Sequence, residues 1–286
     1  MHNPQNLGEL KGPLLLFGGP YSNFSALSAL QTYASQHKIP ASNIICTGDI
    51  VAYCGQPCET VAAIRQWGIP VVMGNCEESF AMDNSDCGCG FEQGSTCDLL
   101  SAQWFAFANE RLGKTEREWF KQLPTQLNFR FNGIDCTVIH GGIRAINRFM
   151  FASHPQSRFL SELEGTDAGL IIGGHCGIPF SRKINRQLWH NPGVIGMPAN
   201  DGTTRTWFSL LSARQNTPGG ISVEIKALDY NYKQAMAAMD TTLVGAHYRQ
   251  ALATGLWPSV DVLPQAQQQA QGTPLAFNVE HYTLPV

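Results

Sequence analysis

Short apolar runs alternate with helically spaced ones through the first half of the chain. Residues 14–17 form an unbroken apolar tetrad that stops at Gly18-Gly19-Pro20, as a buried strand entering a turn would. Over residues 23–38 the apolar positions Phe24, Leu27, Leu30 and Tyr33 follow a helical period, with Ser22 or Asn23 placed to cap the start. Residues 44–47 predict a second strand running into Gly48-Asp49, residues 59–67 a helix, and residues 71–73 a third strand ending in Gly74-Asn75. Two more helices are predicted over 98–112 and 115–123. In the second half, apolar stretches at 127–131 and 134–139 flank Asn132-Gly133, a hairpin signal because both residues tolerate positive φ. The second of these ends in His140-Gly141-Gly142, and a strand at 170–172 ends in Gly173-Gly174-His175. Further strands are predicted at 182–190, 204–211 and 221–228, a long helix at 233–254, and a glutamine-rich tail without pattern. Strand alternating with helix predicts an α/β fold, whose sites form where loops converge beyond the strands' C-terminal ends. No repeat or linker divides the chain. Residues 1–230 are expected to form one domain, with a cysteine-rich loop at 83–97; residues 231–286 are expected to pack on it or extend from it.

Composition narrows the function classes. The 286 residues are 43% hydrophobic and 14% charged, and 19 basic residues against 22 acidic ones leave a formal charge of −3. That balance argues against a chain built to grip a nucleic-acid backbone. No apolar run approaches the ~18 residues of a membrane span, and the opening residues carry neither a charged nor an apolar leader segment, so a cytoplasmic location is expected. Nine cysteines in such a setting read as thiols or metal ligands rather than a disulfide framework.

The glycine-punctuated strand ends carry the chemistry. Asp49, Asn75, His140 and His175 would supply one carboxylate, one amide oxygen and two imidazoles. That mixed set suits a borderline divalent ion such as Zn, Fe, Mn or Ni. Each residue alone is ordinary, an aspartate in a turn or a structural histidine; their order and spacing together set them apart.

Those segments are Gly48-Asp49-Ile50-Val51-Ala52-Tyr53, Gly74-Asn75-Cys76-Glu77, His140-Gly141 and Gly174-His175. Over residues 13–212 the chain resembles the calcineurin-like metallophosphoesterase superfamily, and Asn191-Pro192-Gly193-Val194-Ile195-Gly196-Met197-Pro198 resembles the downstream signature of its small bacterial branch. The resemblance implies a four-layer αββα sandwich of two mixed sheets with a two-metal site at the strand ends. It further implies that Asp49 bridges the metals, that Asn75, His140 and His175 complete the second metal's shell, and that His140, Asn75 and Cys76 are the catalytic candidates.

Departures from the family pattern are as informative. Gly19 and Tyr21 stand where the family has Asp-x-His, and Gly177 stands where it has a final histidine. On the family pattern all three lost ligands belong to the same ion, a coincidence expected in about one case in ten for random losses in a two-metal site. One ion is therefore expected rather than two. A rebuilt first site would draw on Tyr21, Cys54 or Cys176, and thiolates there would favour Zn or Fe. Cys87, Cys89 and Cys97 offer three sulfurs where a structural zinc needs four ligands, and a mobile lid or a redox-labile pair accounts for them equally well. Asn23, Arg144 and Arg148 are phosphate-binding candidates, with a helix cap and a solvated face as their plain alternatives. Glu77 and Glu78 most simply begin a helix. The expected partner is a small phosphorylated substrate or ligand, with no nucleic acid or membrane. The leading expectation is phosphoester hydrolysis at an altered metal site. A non-catalytic descendant that binds metal or phosphate, and more remotely a thiol-based sensor, are the alternatives.

Overall fold

A strand buried on both faces has no polar side to show, so the unbroken apolar runs become the inner strands of two mixed sheets. The structure, a computed structural model, describes residues 3–239 and 246–286. One sheet contains β1 (Pro4–Leu10), β4 (Gln126–Phe131), β5 (Ile134–Val138), β6 (Leu170–Ile172), β8 (Gln187–Asn191) and β7 (Phe180–Ile184), side by side in that order. The other runs β11 (Glu280–Thr283), β10 (Gly220–Leu228), β9 (Thr206–Ala213), β2 (Leu14–Phe17) and β3 (Ile44–Cys46).

The alternation of side chains across each strand builds the layers. Leu14 and Leu16 of β2 join Leu170 and Ile172 of β6 in an apolar cluster between the sheets. Leu15 and Phe17 point the other way, onto α1 (Phe24–Gln36) and α2 (Pro57–Trp67). Ile171 points outward from the opposite sheet, onto Phe159 and Leu163 of α6 (Gln156–Leu163). The result is the expected order of helices, sheet, sheet, helices. Local chemistry sets the helix ends: Asn23 Oδ1 accepts from Ala26 N–H to start α1, while α2 begins on Pro57 and stops at Gly68, whose φ of +68° suits glycine. Three helices follow the third crossover, α3 (Asn75–Ala81), α4 (Thr96–Arg111) and α5 (Lys114–Phe120).

Several expectations are corrected. Residues 71–73 do not make a strand beyond a single bridge from Val71 to Cys46, because Met73 N–H turns away to the Pro124 carbonyl. The stretch 182–190 is a hairpin rather than one strand; it reverses at Asn185, which adopts a φ of +53°. The long helix predicted over 233–254 lies partly outside the described residues: α7 (Tyr232–Ala237) ends in a turn, and α8 (Ala246–Thr254) is a separate segment. The tail is not patternless. It holds α9 (Gln265–Gln269) and then β11, which pairs antiparallel with β10. Polar edge strands such as β11 and β1 show no apolar alternation because they are largely exposed.

The inter-sheet layer predicts a clear mutational contrast. Leu16→Ala, at a position with 0% exposure, should cost about 2–5 kcal/mol in urea unfolding. Leu10→Ala, half-buried on the exposed edge strand β1, should cost well under half of that. Equal losses at both positions would contradict the layer assignment.

Candidate metal centre

All four expected ligands lie just past strand ends or at a helix start. Asp49 follows β3, Asn75 opens α3, His140 follows β5 and His175 follows β6. Asp49 and His175 adopt φ values of +58° and +62°, a left-handed conformation that costs an L-residue about 1–3 kcal/mol when the surroundings impose it. For Asp49 the surroundings are Glu77. Its carboxylate is buried and accepts N–H bonds from Asp49 at 2.8 Å, Ile50 at 2.7 Å and Gly74 at 2.9 Å. Gly74 must be glycine for these segments to meet, since a Cβ there would lie 2.5 Å from Asp49 N.

The donor atoms converge on one point. His140 Nδ1 lies 2.6 Å from the Thr47 carbonyl, which can only accept, so the imidazole proton sits on Nδ1 and Nε2 is bare in the neutral ring. That Nε2 is 3.0 Å from Asn75 Oδ1, 3.2 Å from Asp49 Oδ2 and 3.2 Å from His175 Nδ1. Asn75 Nδ2 donates to the Cys87 carbonyl at 2.9 Å, which fixes Oδ1 as the atom facing the histidine. Lone pairs of the Asp49 carboxylate, the Asn75 amide and the His140 imidazole therefore face each other in a buried space, with His175 Nδ1 beside them. Such an arrangement needs a hydrogen-bond donor or a cation among them. The chemistry of the set fits a borderline divalent transition metal. Among the described residues, Asp49, His140 and His175 are the one group of three ionisable ligands whose donor atoms lie within 4.8 Å of one another.

Without a metal the proton takes that role. Burial would raise the Asp49 carboxyl, but the two imidazoles outweigh it and hold the group below the usual carboxylate range. Burial would lower His140, but Asp49 beside it wins and the ring is raised. For His175 burial prevails and its pKa is lowered. Burial, reinforced by the Asp49 charge, pushes Glu77 above the usual carboxylate range against the pull of His140 and of the Asp49 and Gly74 N–H groups.

The other candidates separate. Tyr21 is buried at the wall of a cavity whose floor is Asp49 and His175. Burial raises its hydroxyl pKa well above the ordinary range, so in the metal-free protein it is a phenol. Cys176 also lines the cavity, but its sulfur accepts from Asn191 Nδ2 at 3.1 Å and burial pushes its thiol up to about 12. Cys54 lies outside the cavity lining, its thiol 3.7 Å from the Gly196 carbonyl. Cys76 holds Asp49 Oδ1 through its backbone N–H at 3.3 Å, while its fully buried thiol is not among the cavity-lining groups. Asn23 is spent on capping α1 and on holding the Gly196 carbonyl at 3.0 Å. Arg144 and Arg148 pair with Glu164 at 2.7 Å and Glu162 at 3.2 Å, and neither lines the cavity. Cys87 and Cys89 are buried against Asn75, whereas Cys97 lines the cavity; the loop gathers no metal-binding group among the described residues.

Sequence reasoning missed the role of Glu77 and the aromatic lining. The Gly74-x-x-Glu77 spacing does signal a carboxylate reaching back to a helix start, but nothing local shows that it also holds Asp49. Tyr248 and Trp257 come from beyond the last sheet crossover and carry no motif.

The protonated His140 contributes stability in metal-free protein. That contribution is complete below the unfolded value near 6.5 and is lost as pH rises through the higher folded value. Chelator-treated protein should therefore lose urea stability on going from neutral to alkaline pH, and Asp49→Asn should remove that part of the slope. A slope identical in the variant would refute the assignment.

Comparison with known proteins agrees with the geometry. The calcineurin-like phosphoesterase superfamily domain matches residues 25–214. The fold is similar to a metallophosphoesterase from Sphaerobacter thermophilus, at TM-score 0.65 and 18% identity over 86% of this chain and 100% of the other. It is also similar to a hypothetical protein from Pyrococcus horikoshii OT3, at TM-score 0.71 and 17% identity over 86% of this chain and 99% of the other. No protein of curated function matches the sequence. With two mixed sheets between helices, a ligand cluster at the strand ends and a family match across most of that frame, the chain belongs to the calcineurin-like phosphoesterase superfamily.

Proposed function

We propose that this protein hydrolyses phosphoesters with a single divalent transition metal, Zn, Fe, Mn or Ni, held by Asp49, Asn75, His140 and His175. The observation that carries the proposal is the convergence of Asn75 Oδ1, Asp49 Oδ2 and His175 Nδ1 to within 3.2 Å of His140 Nε2, which is bare in the neutral ring. A bound divalent ion supplies charge to a phosphoryl oxygen and lowers the pKa of water.

The chain's own groups do the rest. The Thr47 carbonyl keeps the His140 proton on Nδ1, and Glu77 holds the Asp49 backbone in place. Phe149 packs its ring 4.1 Å from that of His175 and keeps water from one face of it. The Tyr21 phenol, its pKa raised by burial, offers a hydrogen-bond donor at the cavity wall. Cys76 is not assigned proton transfer, because its thiol is fully buried and burial raises its pKa well above the ordinary range.

Steric filling supports one ion. A Cβ at Gly19 would lie 2.5 Å from the Tyr21 ring and 2.7 Å from Val194. One at Gly177 would lie 3.2 Å from the Trp257 ring. Aromatic and aliphatic side chains thus crowd the positions where the family's other ligands would stand. The same crowding favours a second reading, in which the protein binds metal and a phosphorylated ligand without turnover. On either reading the partner is a small phosphorylated compound, and a cytoplasmic setting suits the reduced thiols. No described helix is long and apolar enough to cross a membrane.

Elemental analysis of purified protein should give about one equivalent of metal. His140→Ala and Asp49→Asn should each strip it and lower hydrolysis of an aryl phosphodiester by about a hundredfold or more. Retained metal in both variants would defeat the ligand assignment. Metal bound with no turnover in Mn, Fe, Zn or Ni would select the binding reading.

A further inference from the structure

The cavity above the metal centre has an unusual lining for a phosphate site. No lysine or arginine lines it among the described residues, and Asp49 is its one carboxylate. A divalent ion beside Asp49 leaves one net positive charge. A phosphomonoester dianion would enter such a site undercompensated, whereas a phosphodiester monoanion matches it.

Three half-buried rings surround the opening. Phe149 lies against His175 with ring centroids 4.1 Å apart, and Phe91 lies 6.1 Å from Phe149 at 25°. Trp257 forms another part of the lining, over the space that Gly177 leaves empty. It is anchored there by Nε1–H to the Pro198 carbonyl at 2.6 Å and by its backbone N–H to Asn200 Oδ1 at 2.8 Å. These rings come from three separate segments, and Trp257 lies beyond the matched family domain, which ends at residue 214. The anchored face of Trp257 offers stacking surface at small entropic cost, and the two phenyl rings add apolar area beside it. The enclosed space of about 70 Å³ is small, which leaves the ester's substituent at the ringed mouth rather than in the depth.

We infer that the site selects a phosphodiester monoanion carrying a flat aromatic group, which packs among Phe91, Phe149 and Trp257 while the phosphoryl group faces the metal centre. This rests on the proposed metal site and adds to it the class of ligand.

Calorimetric binding to the full-length, metal-loaded protein tests the inference without requiring turnover, using diphenyl, dibutyl, dimethyl and monophenyl phosphate as probes. Diphenyl phosphate should bind about tenfold more tightly than dimethyl phosphate, the worth of burying part of one ring. It should also bind more tightly than dibutyl and monophenyl phosphate. Trp257→Ala and Phe91→Ala should each shrink the diphenyl-to-dimethyl ratio to about threefold or less, with metal stoichiometry unchanged. Phe91, on an exposed loop, provides the test should loss of Trp257 impair folding. Equal binding of diphenyl and dimethyl phosphate by metal-loaded protein would overturn the aromatic selection and leave the metal site standing. Dibutyl phosphate binding as well as diphenyl would overturn the preference for a flat group, and monophenyl phosphate binding as well would overturn the charge argument. Failure of the wild-type protein to take up metal would instead remove the metal site on which the inference rests.

Discussion

A buried carboxylate holds the backbone on which this site depends. Glu77 is 0% exposed and accepts from the N–H groups of Asp49, Ile50 and Gly74, tying the end of one crossover to the start of the next helix. Without that clamp, Asp49 would be free to leave its left-handed conformation and its carboxylate would no longer face the histidines. A buried anion is expensive unless its hydrogen bonds are satisfied. Here its acceptor capacity is used on the backbone that positions the ligand, so a local energetic liability becomes the means of preorganising the centre.

The metal centre follows from a second constraint, the fixed proton of His140. Because Thr47 can only accept, the imidazole must present a bare Nε2 to Asn75 and Asp49. The metal-free site meets that electrostatic problem with a proton, which is why the Asp49 and His140 pKa values move apart. A divalent ion answers the same need, and proton release on binding is the expected companion. Proton and metal thus compete for one position.

Side chains close in on two glycines, Gly19 and Gly177. The Tyr21 ring and Val194 crowd Gly19, and the Trp257 ring lies over Gly177. The cavity consequently presents aromatic surface. Tyr21 packs edge-on against Tyr53 at 4.8 Å, and Tyr53 in turn against Tyr248 at 4.7 Å, linking this strand end to α8. The C-terminal region therefore contributes to the site's walls as well as to the core, where Tyr248, Ala251 and Leu252 are buried.

The apolar runs of β2, β3 and β6 and the glycine-rich ends that follow them were legible from the amino acids alone, because burial on both faces and tight turns leave local marks. The candidate quartet of Asp49, Asn75, His140 and His175 stood out for the same reason: each member stands next to a glycine. The edge strands β1 and β11 were not, since exposure removes the apolar alternation that would reveal them. Nor could the chain's local pattern separate Asn23 as a cap from Asn23 as a phosphate ligand, or show Arg144 and Arg148 engaged by Glu164 and Glu162. Residue types and spacing determined the kind of fold and the donors available to a metal. Only the tertiary structure decided which atoms face one another, that Glu77 braces Asp49, and that Trp257 covers the space beside Gly177, because those contacts join segments that have no reason to meet until both sheets have packed.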